Sequence, residues 1–212
     1  TDKLRCNRFA QGVAPATVGA TVHWQTLELP AGLRVEHLAG GCSLPPIVRT
    51  LNTPVDPTRS FILKSARSSG TNIDEEEFGV AVLSPTGDSV RYELTATCGV
   101  TAYDIQVVEL TGLTVARATA DAGFPVFVTG LAPASANRVV MAQALSTGLN
   151  VPVCNRLVRA DAPSPTSLGF TVGAGNADGG CGAPALDRLA WERIDFGSRA
   201  TVQTQTVTLS PM

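Results

Sequence analysis

Three stretches of this chain spell the same strand: His23-Trp24-Gln25-Thr26-Leu27-Glu28-Leu29, Asp104-Ile105-Gln106-Val107-Val108-Glu109-Leu110 and Ala190-Trp191-Glu192-Arg193-Ile194-Asp195-Phe196. Each runs large apolar residue, Gln or Glu, any residue, aliphatic residue, acid, then Leu or Phe. They recur at intervals of roughly 80 residues, enough chain for one small domain per copy. A packing strand rewritten at that interval constrains the chain to copies of one structural unit. Trp24, Leu27, Leu29, Ile105, Val108, Leu110, Trp191, Ile194 and Phe196 are its expected packing residues.

Other marks recur in the same order. Ser84-Pro85-Thr86 returns as Ser164-Pro165-Thr166, and Cys98 before Gly99 returns as Cys181 before Gly182. Thr58-Arg59-Ser60-Phe61-Ile62-Leu63 lines up with Asn137-Arg138-Val139-Val140-Met141, and Ser69-Gly70 with Thr147-Gly148. This spacing predicts an N-terminal arm or partial repeat over 1–46, a first repeat over 47–120 and a second over 121–212. Within the arm, 22–35 reads as the closing strand pair of a repeat whose beginning is absent. Three arrangements suit it: completing a sheet in the same chain, remaining from a small extra domain, or lying across the open sheet edge of a neighbouring subunit.

Local chemistry favours strands. Glycine (20) and proline (14) punctuate short runs rich in Val, Thr, Leu and Ile. That pattern predicts an all-β fold, here two tandem antiparallel β-sandwich units of jelly-roll or Ig-like type with an N-terminal β arm. Strands are expected over 60–65, 78–83, 89–96, 102–110 and 112–118, with counterparts over 138–145, 157–160, 167–172, 189–196 and 200–209. Residues 201–209 alternate small polar and aliphatic side chains, the period of a half-buried strand. Pro85 and Gly87 mark a hairpin turn, and 176–180 a longer connection.

Composition bears on partners. Hydrophobic residues make up 44% and charged residues 16%, and mean hydropathy is +0.15. Burial of part of the surface against other subunits accounts for this balance; a compositional bias toward alanine or thermostability accounts for it equally. A net charge of −2 and a pI near 5.7 offer no footprint for nucleic acid or an anionic membrane. No run of 18 apolar residues is present, so no membrane span is expected. The start at Thr1 fits a secretory cleavage and loss of an initiator Met alike.

No catalytic set stands out, and neither a catalytic residue nor a metal ligand nor a cofactor is expected. Glycine-rich phosphate loops, Gly-x-Ser-x-Gly and His-Glu-x-x-His are missing from the sequence. His23 precedes Trp24 on a strand and His37 falls near a turn; both read as structural or exposed. Glu28, Glu109 and Asp195 occur once per repeat, and are expected to hold a loop or to pair with Arg34, Arg117 or Arg199 in the strand that follows. The run Asp74-Glu75-Glu76-Glu77 reads as a solvated acidic loop, since it lacks the spacing of a Ca²⁺ loop and returns as Pro152-Val153-Cys154-Asn155. Cys6, Cys42, Cys98, Cys154 and Cys181 are widely spaced and odd in number, which predicts disulfides with at least one cysteine free or bonded to another chain. Connectivity stays open. Aromatics at 5% make a thin sugar-stacking platform.

The stretch Ile105-Gln106-Val107-Val108-Glu109-Leu110 followed by Gly112-Leu113-Thr114-Val115, with Arg59-Ser60-Phe61-Ile62-Leu63 upstream, resembles a repeat of large bacterial secreted and surface proteins. Those repeats carry a Trp-Gln-Val-Val-Glu-like strand. Ile105 stands where that family tends to show Trp, whereas Trp24 and Trp191 keep it. The likeness covers about 60 residues of the first repeat well and the second loosely. It implies an extracellular β-sandwich and supplies no active site. The chain is also similar to the small β-sandwich of H-type lectins, without a sugar-binding residue that carries over.

The expected function is structural. The chain reads as a self-assembling subunit of an extracellular filament or surface layer, its partner another copy of itself, held by strand addition, apolar contacts and disulfides. A phage virion component (decoration, tail or fibre protein) is the alternative in the same class. A carbohydrate-binding adhesin module on the cell surface, with a glycan as partner, is the alternative from another; an enzyme ranks last.

Overall fold

The structure, a computed structural model, describes residues 20–27, 33–41, 46–67, 79–94, 102–121, 123–146, 158–172, 186–198 and 202–209. Among these the fold is all-β, and the strands run β1 (Ala20–Leu27), β2 (Arg34–Gly41), β3 (Ile47–Thr50), β4 (Ser60–Arg67), β5 (Val80–Leu83), β6 (Ser89–Glu93) and β7 (Ala102–Glu109). They continue as β8 (Thr114–Asp121), β9 (Val126–Val128), β10 (Arg138–Leu145), β11 (Val158–Ser164), β12 (Ser167–Val172), β13 (Arg188–Asp195) and β14 (Val202–Leu209). A short 3-10 turn over Pro57–Arg59 leads into β4, its first turn capped by Asp56, whose carboxylate accepts from the Thr58 amide.

Sheet order repeats. Three-stranded antiparallel sheets form as β2-β7-β4 and β3-β6-β5, then again as β10-β13-β8 and β11-β12-β9. The two sets match strand for strand: β2 with β8, β3 with β9, and so on to β7 with β13. By hydrogen bonding, β2 of the expected arm completes a sheet with β7 in the same chain, one of the three arrangements expected of it, and β8 pairs with β13. Two short strands, β3 and β9, escape the sequence pattern because each has only three or four residues.

Register matches too. Glu109 pairs with Arg34 and Ser60, and Asp195 with Thr114 and Arg138. Ser60 thus corresponds to Arg138, one residue out of step with the alignment of Arg59 to Arg138 suggested by sequence. The main-chain bonds agree: the Leu110 amide donates to Arg59 O and the Phe196 amide to Asn137 O. The shift matters because one residue along a strand moves every side chain to the opposite face.

Each pair of sheets encloses a core. Ile62, Ile105 and Val107 from β2-β7-β4 meet Ile47, Leu83, Val90 and Tyr92 from β3-β6-β5. In the second set Leu189 and Trp191 meet Leu168 and Phe170, with Ala116, Val140, Ala142, Ala160 and Ala162 half-buried around them. The Ser-Pro-Thr turns share one contact: Ser84 and Thr86 hydroxyls lie 3.2 Å apart, as do those of Ser164 and Thr166. Gly87 in the first turn has φ +71, and a Cβ there would fall 1.8 Å from the Val55 carbonyl oxygen.

Strands β1 and β14 form a two-stranded antiparallel sheet in a unit of their own, apart from the body over 28–201. Leu27 pairs with Val202 and Gln25 with Thr204. Aligned on the recurrent motif, β1 corresponds to β7 and β13. Its partner β14 then corresponds to β2 and β8, residue for residue.

Candidate functional site

The acid of the recurrent strand is an anchor. Glu109 Oε1 accepts from the Asp56 amide at 3.2 Å and from Arg59 Nε at 2.9 Å, and Arg34 Nη1 lies 3.5 Å from Oε2. Asp195 accepts from the Ser135 amide at 2.8 Å, the Ser135 hydroxyl at 2.5 Å and the Gly197 amide at 2.9 Å. Burial pushes the Asp195 carboxyl up, but the hydrogen bonds from Ser135 and Gly197 outweigh it and hold the group below its ordinary value. Both acids thus fasten the loop that enters β4 or β10. Glu109 pairs with Arg34, which precedes it in the chain, and not with the Arg117 that follows it and was the expected partner. Glu28 and Arg199 lie outside the described residues.

Arg117 goes elsewhere, and its destination defines the site. The two sandwiches of the 28–201 body meet where the outer face of β10-β13-β8 covers the outer edges of β4 and β5. Edge strands expose unpaired main-chain groups, and here three side chains cap them. Glu192 Oε2 accepts from the Ile62 amide at 2.8 Å, Gln143 Oε1 accepts from the Ala81 amide at 2.8 Å, and Arg117 donates to Ser60 O. Arg117 and Glu192 face each other across the β8–β13 pair with 3.4 Å between charged atoms. Val80, Leu145 and Ala190 form an apolar patch beside them, and Phe61 meets Phe196 edge-on at 6.4 Å.

Burial dominates the electrostatics of this junction. It pushes the Glu192 carboxyl up, against the pull of Arg117 and the Ile62 hydrogen bond, and it pushes the Arg117 guanidinium down. Arg117 Nε and Nη1 are buried and lack a hydrogen-bond partner among the described residues. A cleft of about 750 Å³ runs along β8 between Val82, Pro85 and Leu131, and Arg117 lines it. Glu192 lines it too, so its chemistry is that of an apolar groove with one ion pair.

Sequence reasoning marked Glu192 only as the Gln-or-Glu position of the motif. The structure gives that position a role: it is the hydrogen-bond acceptor that seals an edge strand 130 residues away in sequence. The signal was its recurrence as Gln25, Gln106 and Glu192, three residues able to accept an amide N–H. Arg117 and Gln143 carried no such signal.

The remaining expected residues divide cleanly. Ile105, Val108, Leu110, Trp191, Ile194 and Phe196 are all buried, Ile105 and Trp191 inside the two cores and Val108 and Ile194 on the opposite faces. Trp24 and Leu27 lie on β1, whose side chains are outside the described residues, as is Leu29 entirely. All five cysteines and the acidic run at 74–77 also fall outside. His37 sits in mid-strand on β2 rather than beside a turn, exposed, with Nδ1 3.8 Å from Asp104 Oδ1. Among the described residues no group of three His, Cys, Asp or Glu side chains converges as metal ligands would, and no helix is long and apolar enough to cross a membrane. The chain matches no family model, no curated protein and no solved structure.

Proposed function

We propose that this chain is a structural subunit whose copies join outside the cell into a filament or surface layer. The β1–β14 pair carries this reading. Gln25 faces Thr204 in it just as Gln106 faces His37 and Glu192 faces Arg117. Strands from the two ends of the chain thus take the two places that each sandwich fills from within itself. The same pair forms between copies with the same register and hydrogen bonds. Swapped in this way, each copy offers β14 to one neighbour and β1 to another, and the contact propagates head to tail.

Two further features support the reading. Charged residues are only 16% of the chain, which suits a surface that is partly covered. The motif also resembles repeats of bacterial secreted and surface proteins. Disulfides between copies would lock such an array covalently.

The test is negative-stain electron microscopy and sedimentation of the full chain purified without reductant, beside a chain lacking residues 1–27. Regular filaments or sheets that vanish on removal of β1 are the expected result. Single copies at every concentration would overturn the proposal.

A further inference from the structure

The covered face of β10-β13-β8 has a partly open twin, on which Val35, His37, Leu63 and Ser65 are exposed while Phe61 and Val108 are already buried. We propose that the outer face of β2-β7-β4 receives the edge strands β10 and β11 of a second copy, repeating between molecules the junction made within one. This rests on the self-assembly reading above and names the surface it would use.

The shared registers make the comparison residue by residue. His37, Gln106 and Ser65 stand on the β2-β7-β4 face where Arg117, Glu192 and Gln143 stand on the covered one. Their chemistry serves the same end. The Gln106 amide oxygen accepts an N–H as the Glu192 carboxylate does, an imidazole N–H donates to a carbonyl as a guanidinium does, and a serine hydroxyl does either. Val35 and Leu63 take the places of Val115 and Met141. They are 40% and 41% exposed, two of the four large hydrophobic residues at the surface among the described residues. Apolar side chains flanking hydrogen-bonding groups on an open sheet face are what the covered face would present before its partner arrives.

The complementary half is on the same chain. Like β4 and β5, strands β10 and β11 each pair with one neighbour among the described residues and so have an outer edge there. The main-chain groups corresponding to Ser60 O, Ile62 N and Ala81 N are Arg138 O, Val140 N and Ala160 N. Receptor face and edge strands are therefore the two halves of one heterologous contact, which argues for a second copy as occupant. Repeated, such a contact extends an open array instead of closing a pair.

The experiment uses the full chain and Leu63→Asp, an exposed change whose fold is checked by circular dichroism. Association is followed by sedimentation, and neighbours are mapped with a benzophenone amino acid replacing Ser65 in a mixture of isotopically labelled and unlabelled copies. The expected result is at least about a 30-fold loss of association in Leu63→Asp, the scale of a buried interface residue, and crosslinks between copies that land in 138–145 or 158–164. Wild-type association that survives Leu63→Asp, or crosslinks that land elsewhere, overturns this surface and leaves assembly through β1 and β14 standing. A wild-type chain that never associates overturns both.

Discussion

The two sandwiches share strand order and a Ser-Pro-Thr turn motif, yet they are packed differently. The first is filled by large side chains that are almost wholly enclosed, among them Ile62, Val90, Tyr92, Tyr103 and Ile105. The second rests on Phe170 stacked on Trp191 at 6.1 Å, with alanines half-buried about them. What the two retain is polar: an acid that fastens the loop before β4 or β10, and a Ser-Pro-Thr turn closed by its own hydroxyls. Core volume is redistributed freely so long as the faces alternate, whereas a hydrogen-bonded anchor has one geometry. The comparison teaches that this fold is specified at its turns and loop anchors and merely filled in its interior.

The sharpest way to break that comparison is Phe170→Ala. It removes half of the aromatic pair and should cost about 3–5 kcal/mol. Hydrogen exchange is expected to rise in β9, β11 and β12 while β3, β5 and β6 stay protected. Loss of protection in both sandwiches would mean that they unfold as one cooperative body and that the difference in packing has no energetic meaning.

The junction comes next. Glu192→Ala leaves the Ile62 amide and the Arg117 guanidinium without their buried acceptor, and is expected to destabilise by about 3 kcal/mol. Glu192→Gln keeps the acceptor and should cost under about 1 kcal/mol, in line with the Gln found at positions 25 and 106. Equal losses in urea titrations of the two variants would show that the charge, rather than the capped amide, holds the sandwiches together. Glu192 also sets a direction with pH. Its carboxyl is pushed above the ordinary 4.5 by burial, so the folded state holds its proton more tightly than the unfolded one. Its contribution is present below 4.5 and is lost as pH rises through the folded value.

Gly87→Ala separates the turns. The first turn needs a positive φ and has no room for a Cβ beside Val55 O, so a loss of about 2 kcal/mol is expected in thermal melts. The second turn passes from Thr166 directly to Ser167, and Thr166→Ala should matter less. A neutral Gly87→Ala would remove the turn from the list of specifying features.

The smallest effect concerns Lys64. Burial lowers its ammonium from 10.5 to about 8, although Nζ donates to Gly79 O at 2.6 Å and sits 5.6 Å above the centre of the Tyr92 ring. Between those values the unfolded chain binds more protons, so stability rises with pH from about 8 to 10.5 and is level below 8, where both states hold the proton. Above pH 10 Tyr92 opposes this, since burial raises its hydroxyl to about 12. Lys64→Met should flatten the rise between pH 8 and 10 and shift stability at pH 7 by about 1 kcal/mol. A slope that persists in Lys64→Met would assign it to another group.

Much of the fold was legible in the residues themselves. Strands β10 and β12 coincide with the runs 138–145 and 167–172 expected from short aliphatic stretches between turn residues, and the paired Ser-Pro-Thr turns were visible as repeats. The alignment of Arg59 with Arg138 was out by one because a single basic residue is a poor marker of register, which hydrogen bonds fix only when the partner strand is present. The site was half legible. Motif recurrence picked out Gln25, Gln106 and Glu192 but could not say that the position caps an edge.

By itself the sequence determined most of the strands, their turns and the fact of repetition, because apolar runs, proline and glycine act over a few neighbouring residues. Only the tertiary structure decided that β2 and β8 open their sheets, that Arg117 pairs with Glu192 instead of Glu109, and that the face of one sandwich seals the edge of the other. Those outcomes depend on which unpaired amides and carbonyls come to lie opposite which side chains once two sandwiches pack. Groups 62 to 130 residues apart make the two caps that bind Ala81 and Ile62, and no local pattern encodes such a meeting.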